Sequence, residues 1–219
     1  MEEAGFTPAQ TIFDYHTTLE AALLDDSEAM LRSFRKGTRS AIRQAQRAGI
    51  TTDEGGQAEA QWVESFYADM VARKGATPRP KGFFVRLAAF IEQNPDSGFL
   101  LISQLGERSL GGIFILRHGQ RALYAFGASG RPERGLPMTH LLHFEAMIRA
   151  RRLGCAVYDL CGFSTGTGAQ GERSARQSIN LFKSGFSKQS VDLLPTQEIV
   201  LRPVLYRLVE DVRRWFGTT

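Results

Sequence analysis

With 219 residues, 42% of them hydrophobic and 23% charged, the chain can bury one ordinary core, which excludes an intrinsically disordered protein. Two cysteines, Cys155 and Cys161, are too few for a disulfide framework or a zinc site of the usual spacing, and both read as core residues in a reducing compartment. A net charge of +4, no apolar run of membrane-spanning length and the acidic start Met1-Glu2-Glu3 predict a cytoplasmic protein with neither a transmembrane segment nor a signal peptide.

Thr11 to Thr17 reads as a short strand. Asp25-Asp26-Ser27 then offers N-cap chemistry for a helix predicted from Glu28 to Ala48 and closed by Gly49. On it Leu31, Phe34, Ala41, Ile42, Ala45 and Ala48 form an apolar stripe, while Arg32, Lys36, Arg39, Arg43 and Arg47 recur at intervals of three and four. Such a row is either a solvated helix face or a site for phosphates. The scarcity of interleaved acids favours the second, with Arg32, Lys36, Arg39 and Arg43 as the phosphate ligands.

A second helix, Ala58 to Arg73, should bury Trp62, Phe66 and Met70, and a third is expected from Gly82 to Gln93. Between them the two prolines of Gly75 to Pro80 break the helical run. Gly98 to Leu105, Leu110 to Arg117 and Arg121 to Ala128 are strand-like and joined by short turns, the pattern of an antiparallel meander. A helix beginning near Pro137 and ending at Arg152, and a strand from Ala156 to Cys161, follow. The rest comprises a glycine-rich loop, a short helix around Lys183, strands near Gln189 to Leu194 and Glu198 to Leu201, and a last helix from Pro203 to Phe216.

A strand, a helix and another strand after a meander require one parallel right-handed crossover in an otherwise antiparallel sheet. That order resembles the GNAT acyl-CoA N-acyltransferase fold: α/β (α+β), with a mixed, largely antiparallel sheet flanked by helices. Residues 1–50 are expected to be an N-terminal strand and basic helix, an arm or the remnant of a first domain, and residues 51–219 the GNAT-like domain.

Three motifs compete for the chemistry. Gly162-Phe163-Ser164-Thr165-Gly166 matches G-x-S-x-G after a strand, but further glycines follow and no histidine occurs after His143, so a nucleophilic serine is disfavoured. His140 and His143 lie three apart on one helix without a third ligand, so no metal is expected. In the GNAT fold a glycine-bearing loop that begins with Arg or Gln holds the pyrophosphate of coenzyme A. Here it reads Arg131-Pro132-Glu133-Arg134-Gly135-Leu136-Pro137, with an arginine at a glycine position and a proline that removes a donor. Acyl-coenzyme A is therefore the less favoured donor.

Arg39-Ser40-Ala41-Ile42-Arg43-Gln44-Ala45 with Gly49-Ile50 resembles the R-x-x-I-r-k-A…G-V segment of the Fem family, aminoacyl-tRNA-dependent transferases of peptidoglycan assembly. Tyr124 to Ser129, Tyr158-Asp159-Leu160-Cys161-Gly162 and Leu181-Phe182-Lys183-Ser184-Gly185-Phe186 resemble, in order, that family's Y-x-y-G-a-S, Y-D-f-G-G and y-x-F-K-x-x-F-G segments. Family members normally carry two acetyltransferase-like domains; this chain reads as one, beginning near the end of the first.

The resemblance implies an aminoacyltransferase with aminoacyl-tRNA as co-substrate, no bound cofactor, and an amine of a peptidoglycan precursor or another small molecule as acceptor. A membrane-surface association, without a span, is compatible with that role. Lys183 and Asp159 are the implied catalytic residues, Tyr124, Tyr158, Arg131 and Phe186 the substrate-binding ones, and the basic row from Arg32 to Arg43 the tRNA contact. The alternatives are a GNAT N-acetyltransferase using acyl-CoA and a non-enzymatic basic module that binds RNA.

Overall fold

The computed structural model describes residues 5–8, 15–74, 78–130, 136–163 and 170–216. Their elements are β1 (Thr7–Pro8), β2 (Thr17–Ala22), α1 (Ser27–Ser33), α2 (Lys36–Arg47), β3 (Ile50–Gly55), α3 (Gln57–Lys74) and α4 (Phe83–Gln93). The meander β4 (Gly98–Leu105), β5 (Arg108–His118) and β6 (Arg121–Ser129) is followed by α5 (Met138–Arg152) and β7 (Val157–Gly162). The remaining elements are α6 (Gln170–Lys183), β8 (Ser190–Asp192), β9 (Gln197–Glu198) and α7 (Pro203–Phe216).

Seven strands form one sheet in the order β3-β4-β5-β6-β7-β2-β8, and β1 pairs with β9 in a separate ribbon. β6 and β7 run parallel, joined across α5, while the other ladders are antiparallel. The mixed, largely antiparallel sheet with one parallel crossover is the one the element order predicts. Alternation along β4 divides the core: Phe99 and Leu101 join the cluster under α1, α2 and α5, and Leu100 and Ile102 join the one under α3 and α4. Helices on both faces explain why β4 is a continuous apolar run rather than an alternating one. Removing a whole Leu, Ile or Phe side chain from water here contributes about 1.5–3 kcal/mol.

Local features differ from expectation at several places. The helix predicted from Glu28 to Ala48 is two helices, because Phe34 (φ −76°, ψ 158°) and Arg35 (φ −58°, ψ 145°) are extended. The break lets the Phe34 ring turn into the core, edge-on to Phe144 and Phe186 at 6.0 and 5.2 Å. Residues 9–14, most of the strand expected from Thr11, lie outside the described residues, and the strand observed runs from Thr17 to Ala22. Thr18, Leu19, Glu20 and Ala21 are all buried, so no two-residue alternation betrays this strand.

β3 was not predicted either, since Ile-Thr-Thr-Asp-Glu-Gly has weak strand propensity and gains its order at the sheet edge by pairing with β4. Trp62 is exposed rather than buried, and Val63 and Ala60 take the core side of α3 instead. The segment assigned to an N-terminal arm sits in the same sheet and core: β2 lies between β7 and β8, and Leu31, Ile42 and Ala45 join the cluster beneath α5. At the other end of the chain α7 leaves Val204, Leu205, Leu208, Val212 and Trp215 exposed.

Candidate active site

The site is built where β6 and β7 separate. Their ladder ends at Leu123 opposite Asp159, so the last residues of β7 run on without a strand partner on the β6 side. Asp159 accepts the backbone N–H of Cys161 at 2.8 Å, a side-chain turn that suits the left-handed conformation Cys161 adopts at φ 60°. A non-glycine residue in that region is held there by its surroundings. The thiol of Cys161 points to the Tyr124 carbonyl at 2.8 Å, bridging the gap between the two strands.

The turn aims two consecutive carbonyls at one cation. Lys183, the last residue of α6, donates from Nζ to the Cys161 oxygen at 3.1 Å and the Gly162 oxygen at 2.6 Å. Burial lowers its pKa below the ordinary lysine value, against smaller opposing effects of Cys161 and Asp159. An ammonium has three N–H groups, so with two on these carbonyls one is left without a partner among the described residues and can meet a substrate oxygen. α6 is longer than the short helix predicted, and it stops at Lys183 with the turn Ser184–Phe186. Gly185 closes that turn against α2, where an added Cβ would run into Thr38 Oγ1 and come within 3.0 Å of the Phe182 carbonyl.

Asp159 is buried and fully engaged. Thr18 donates its hydroxyl to Oδ1, and Arg121 donates to Oδ2 at 3.5 Å while also pairing with buried Glu20. The carboxylate thus ties β2, β6 and β7 together beneath the Lys183 turn. Both of its oxygens hold structural partners.

Tyr124 and Tyr158, expected to line the cleft, are placed differently from each other. Tyr158 is wholly buried, with its hydroxyl 2.9 Å from His143 Nδ1, which corrects its assignment to substrate binding. Phe186 is likewise a core residue, ringed by Phe34, Phe182, His140 and His143. Tyr124 is half-buried, and burial followed by the nearby Cys161 raises its phenol to about 12. Tyr158 is raised by burial, then by Tyr124 and Cys161, so both remain phenols at neutral pH and neither is a base.

His143 was expected to have a packing or surface role. It is completely buried, with Nε2 unpartnered among the described residues, and burial, then His140 and Lys183, lower its pKa to about 3. An unfolded histidine titrates near 6.5, so between about pH 3 and 6.5 the unfolded chain binds the extra proton and stability falls as pH falls. Urea midpoints should decline from pH 7 to pH 5, and His143→Phe should flatten that slope. An unchanged slope would show that other groups set the acid sensitivity.

The remaining predicted ligands are dispersed. Arg32 is on α1, paired with Asp26 at 3.4 Å, whereas Lys36, Arg39 and Arg43 are on α2. Arg39 donates to the Phe34 carbonyl across the helix break. Arg131 and Ser164 lie outside the described residues. Arg121, Glu20 and Thr18 were missed, since nothing in their local sequence marks partners brought together by the sheet. Cys161 was read as core, although an Asp two positions before a chain reversal was a usable sign of its turn. Arg79, also missed, lies over the rings of Phe83 and Phe126 at 5.4 and 5.2 Å. Among the described residues there is no cluster of three His, Cys, Asp or Glu side chains able to hold a metal ion.

The model of the acetyltransferase (GNAT) domain matches residues 32–173. The chain belongs to the GNAT acetyltransferase family. It is an acyltransferase of that fold. The crystal structure of FemX superposes with a TM-score of 0.81 at 16% identity, covering 95% of this chain and 69% of FemX. L-PGS from Bacillus licheniformis superposes at 0.53, with 13% identity and 95% and 67% of the two chains covered. The C-terminal domain of a putative lysylphosphatidylglycerol synthetase from Agrobacterium fabrum gives 0.50, with 13% identity and 90% and 61% covered. These likenesses concern the fold, and this GNAT chain spans only part of each structure. No curated protein matches the sequence. No helix among the described residues is long and apolar enough to cross a membrane.

Proposed function

We propose that the chain is a Fem-type aminoacyltransferase, moving an aminoacyl group from aminoacyl-tRNA to an amine, with a peptidoglycan precursor as acceptor. What supports this reading is one observation: the buried Lys183 ammonium held by the carbonyls of Cys161 and Gly162 at the open end of β7. The family resemblance of the segments that build this turn, and the FemX-like fold, point the same way.

The amine nitrogen attacks the ester carbonyl, an amide C–N bond forms, the ester C–O bond breaks, and the proton lost by the amine ends on the departing ribose oxygen. Negative charge grows first on the carbonyl oxygen and then on the ribose oxygen. A preorganised cation in a site of low polarity stabilises both. The lowered pKa of Lys183 also makes it a better proton donor to the leaving oxygen than a solvated ammonium. Tyr124, half-buried and held as a phenol, does not remove a proton at neutral pH. Formation of labelled amide from aminoacyl-tRNA and an amine-bearing peptidoglycan precursor tests the reading; no amide with any aminoacyl-tRNA would overturn it.

A second reading, acetyl transfer from acetyl-coenzyme A, has its own observation. A cavity of about 320 Å³ lies beside the start of α5, lined by Arg108, Ser129, Gly130 and Thr139 among others. Pro137 caps α5 without a side-chain acceptor, and as a proline it offers no N–H to a pyrophosphate. Calorimetric titration with acetyl-coenzyme A should therefore give no measurable heat of binding, and saturable micromolar binding would favour the acetyl donor.

A further inference from the structure

A larger cavity, of about 680 Å³, opens between the α1–α2 break and the segment that leads from Lys183 to β8. Arg35, Lys36 and Arg39 stand on one wall and Lys188 on the other, and the lining includes no carboxylate. None of these four cations has an ion-pair partner among the described residues. Arg35 and Arg39 instead donate to backbone carbonyls, those of Leu181 at 3.1 Å and Phe34. α2 starts at Lys36 with no side-chain cap, which adds its positive end to the same field. Like charges facing each other without counter-charge repel, and an anion between them relieves that cost.

The volume exceeds that of a single phosphate group several-fold, and the cations come from two chain segments, so the cavity has room and charge for more than one phosphate. We infer that this cavity is a phosphodiester-binding groove that seats the RNA backbone of the donor, with Arg35 and Lys188 as ligands beside Lys36 and Arg39. The inference rests on the reading of the donor as aminoacyl-tRNA. It also replaces part of the row expected from sequence, since Arg32 is turned to Asp26 and neither it nor Arg43 lines the cavity. The groove is mechanically joined to the catalytic turn: Arg35 donates its N–H to the Gly185 carbonyl at 2.9 Å and its guanidinium to Leu181, bracketing Lys183. A phosphate drawn to Arg35 is held against the turn that positions the catalytic ammonium.

The test is an anisotropy titration of the full chain with a labelled single-stranded RNA ending in CCA, repeated at several salt concentrations and with inorganic pyrophosphate as competitor. Arg35→Gln/Lys188→Gln removes two exposed cations from the groove, and Lys81→Gln/Arg152→Gln removes two exposed cations elsewhere. The first pair should weaken RNA binding about tenfold and make the logarithmic salt dependence shallower by about 1 to 1.5, while the second leaves both near the parent values. Equal effects of the two pairs, or parent-like binding by the first, would overturn the groove and leave the donor reading standing. Pyrophosphate binding that requires Arg35 and Lys188, in a chain that binds no RNA, would overturn RNA as the occupant and the tRNA donor with it.

Discussion

Lys183→Ala is expected to lower aminoacyl transfer about a hundred- to a thousandfold, the range for loss of one preorganised donor at a developing oxyanion. The fold should persist, because only the end of α6 loses its anchor on the Cys161 and Gly162 carbonyls. Lys183→Arg should not restore the rate, since a planar guanidinium does not reproduce the point charge that two converging carbonyls hold. The pH profile separates a catalytic cation from a structural one. Burial lowers the Lys183 pKa, so the ammonium is lost at lower pH than in an exposed lysine, and transfer should fall on the alkaline side below pH 10.5. In the alanine variant the residual rate should lack that limb. Undiminished turnover, or an unchanged alkaline limb, would remove Lys183 from the mechanism.

Asp159→Ala should be the most damaging change to stability near the site. It strips the acceptor from the Thr18 hydroxyl and the Cys161 N–H, and leaves Arg121 with Glu20 alone. Loss of a buried charged acceptor with several donors costs about 3 kcal/mol, somewhat less here because the Arg121 side chain is 45% exposed and screened by water. That corresponds to a fall of about 5–10 °C in Tm for a chain of this size. Asp159→Asn keeps an acceptor for Thr18 and Cys161 and should lose markedly less. Equal losses in the two variants would mean that the charge, rather than the hydrogen bonds, carries the stability. If Asp159 acts by positioning, the transfer rate of the Asn variant should drop with KM little changed.

The periodic elements were legible. α3, α4, the meander and α5 each carry enough apolar residues at a helical or strand spacing to identify themselves, and a crossover helix between strands fixes one parallel pair. Elements that take their order from neighbours were not legible. β2 is buried on both faces between β7 and β8, so it lacks alternation, and β3 is an acidic edge strand stabilised by its pairing with β4. The break at Phe34 reflects where one ring packs, a decision made by Phe144 and Phe186 from elsewhere in the chain.

By itself the sequence determined the crossover architecture, the lysine at the end of a short apolar segment, and the concentration of positive charge before residue 50, because these depend on spacing and residue type along the chain. Only the tertiary structure decided what that lysine faces. The separation of β6 from β7, the left-handed turn at Cys161 and the Asp159 carboxylate shared by Thr18 and Arg121 join residues that are not neighbours along the chain, Thr18 and Asp159 being 141 positions apart. The grouping of Arg35 with Lys188 is of the same kind. Burial and distance set a cation's pKa and its partners, and both quantities exist only once the chain has folded.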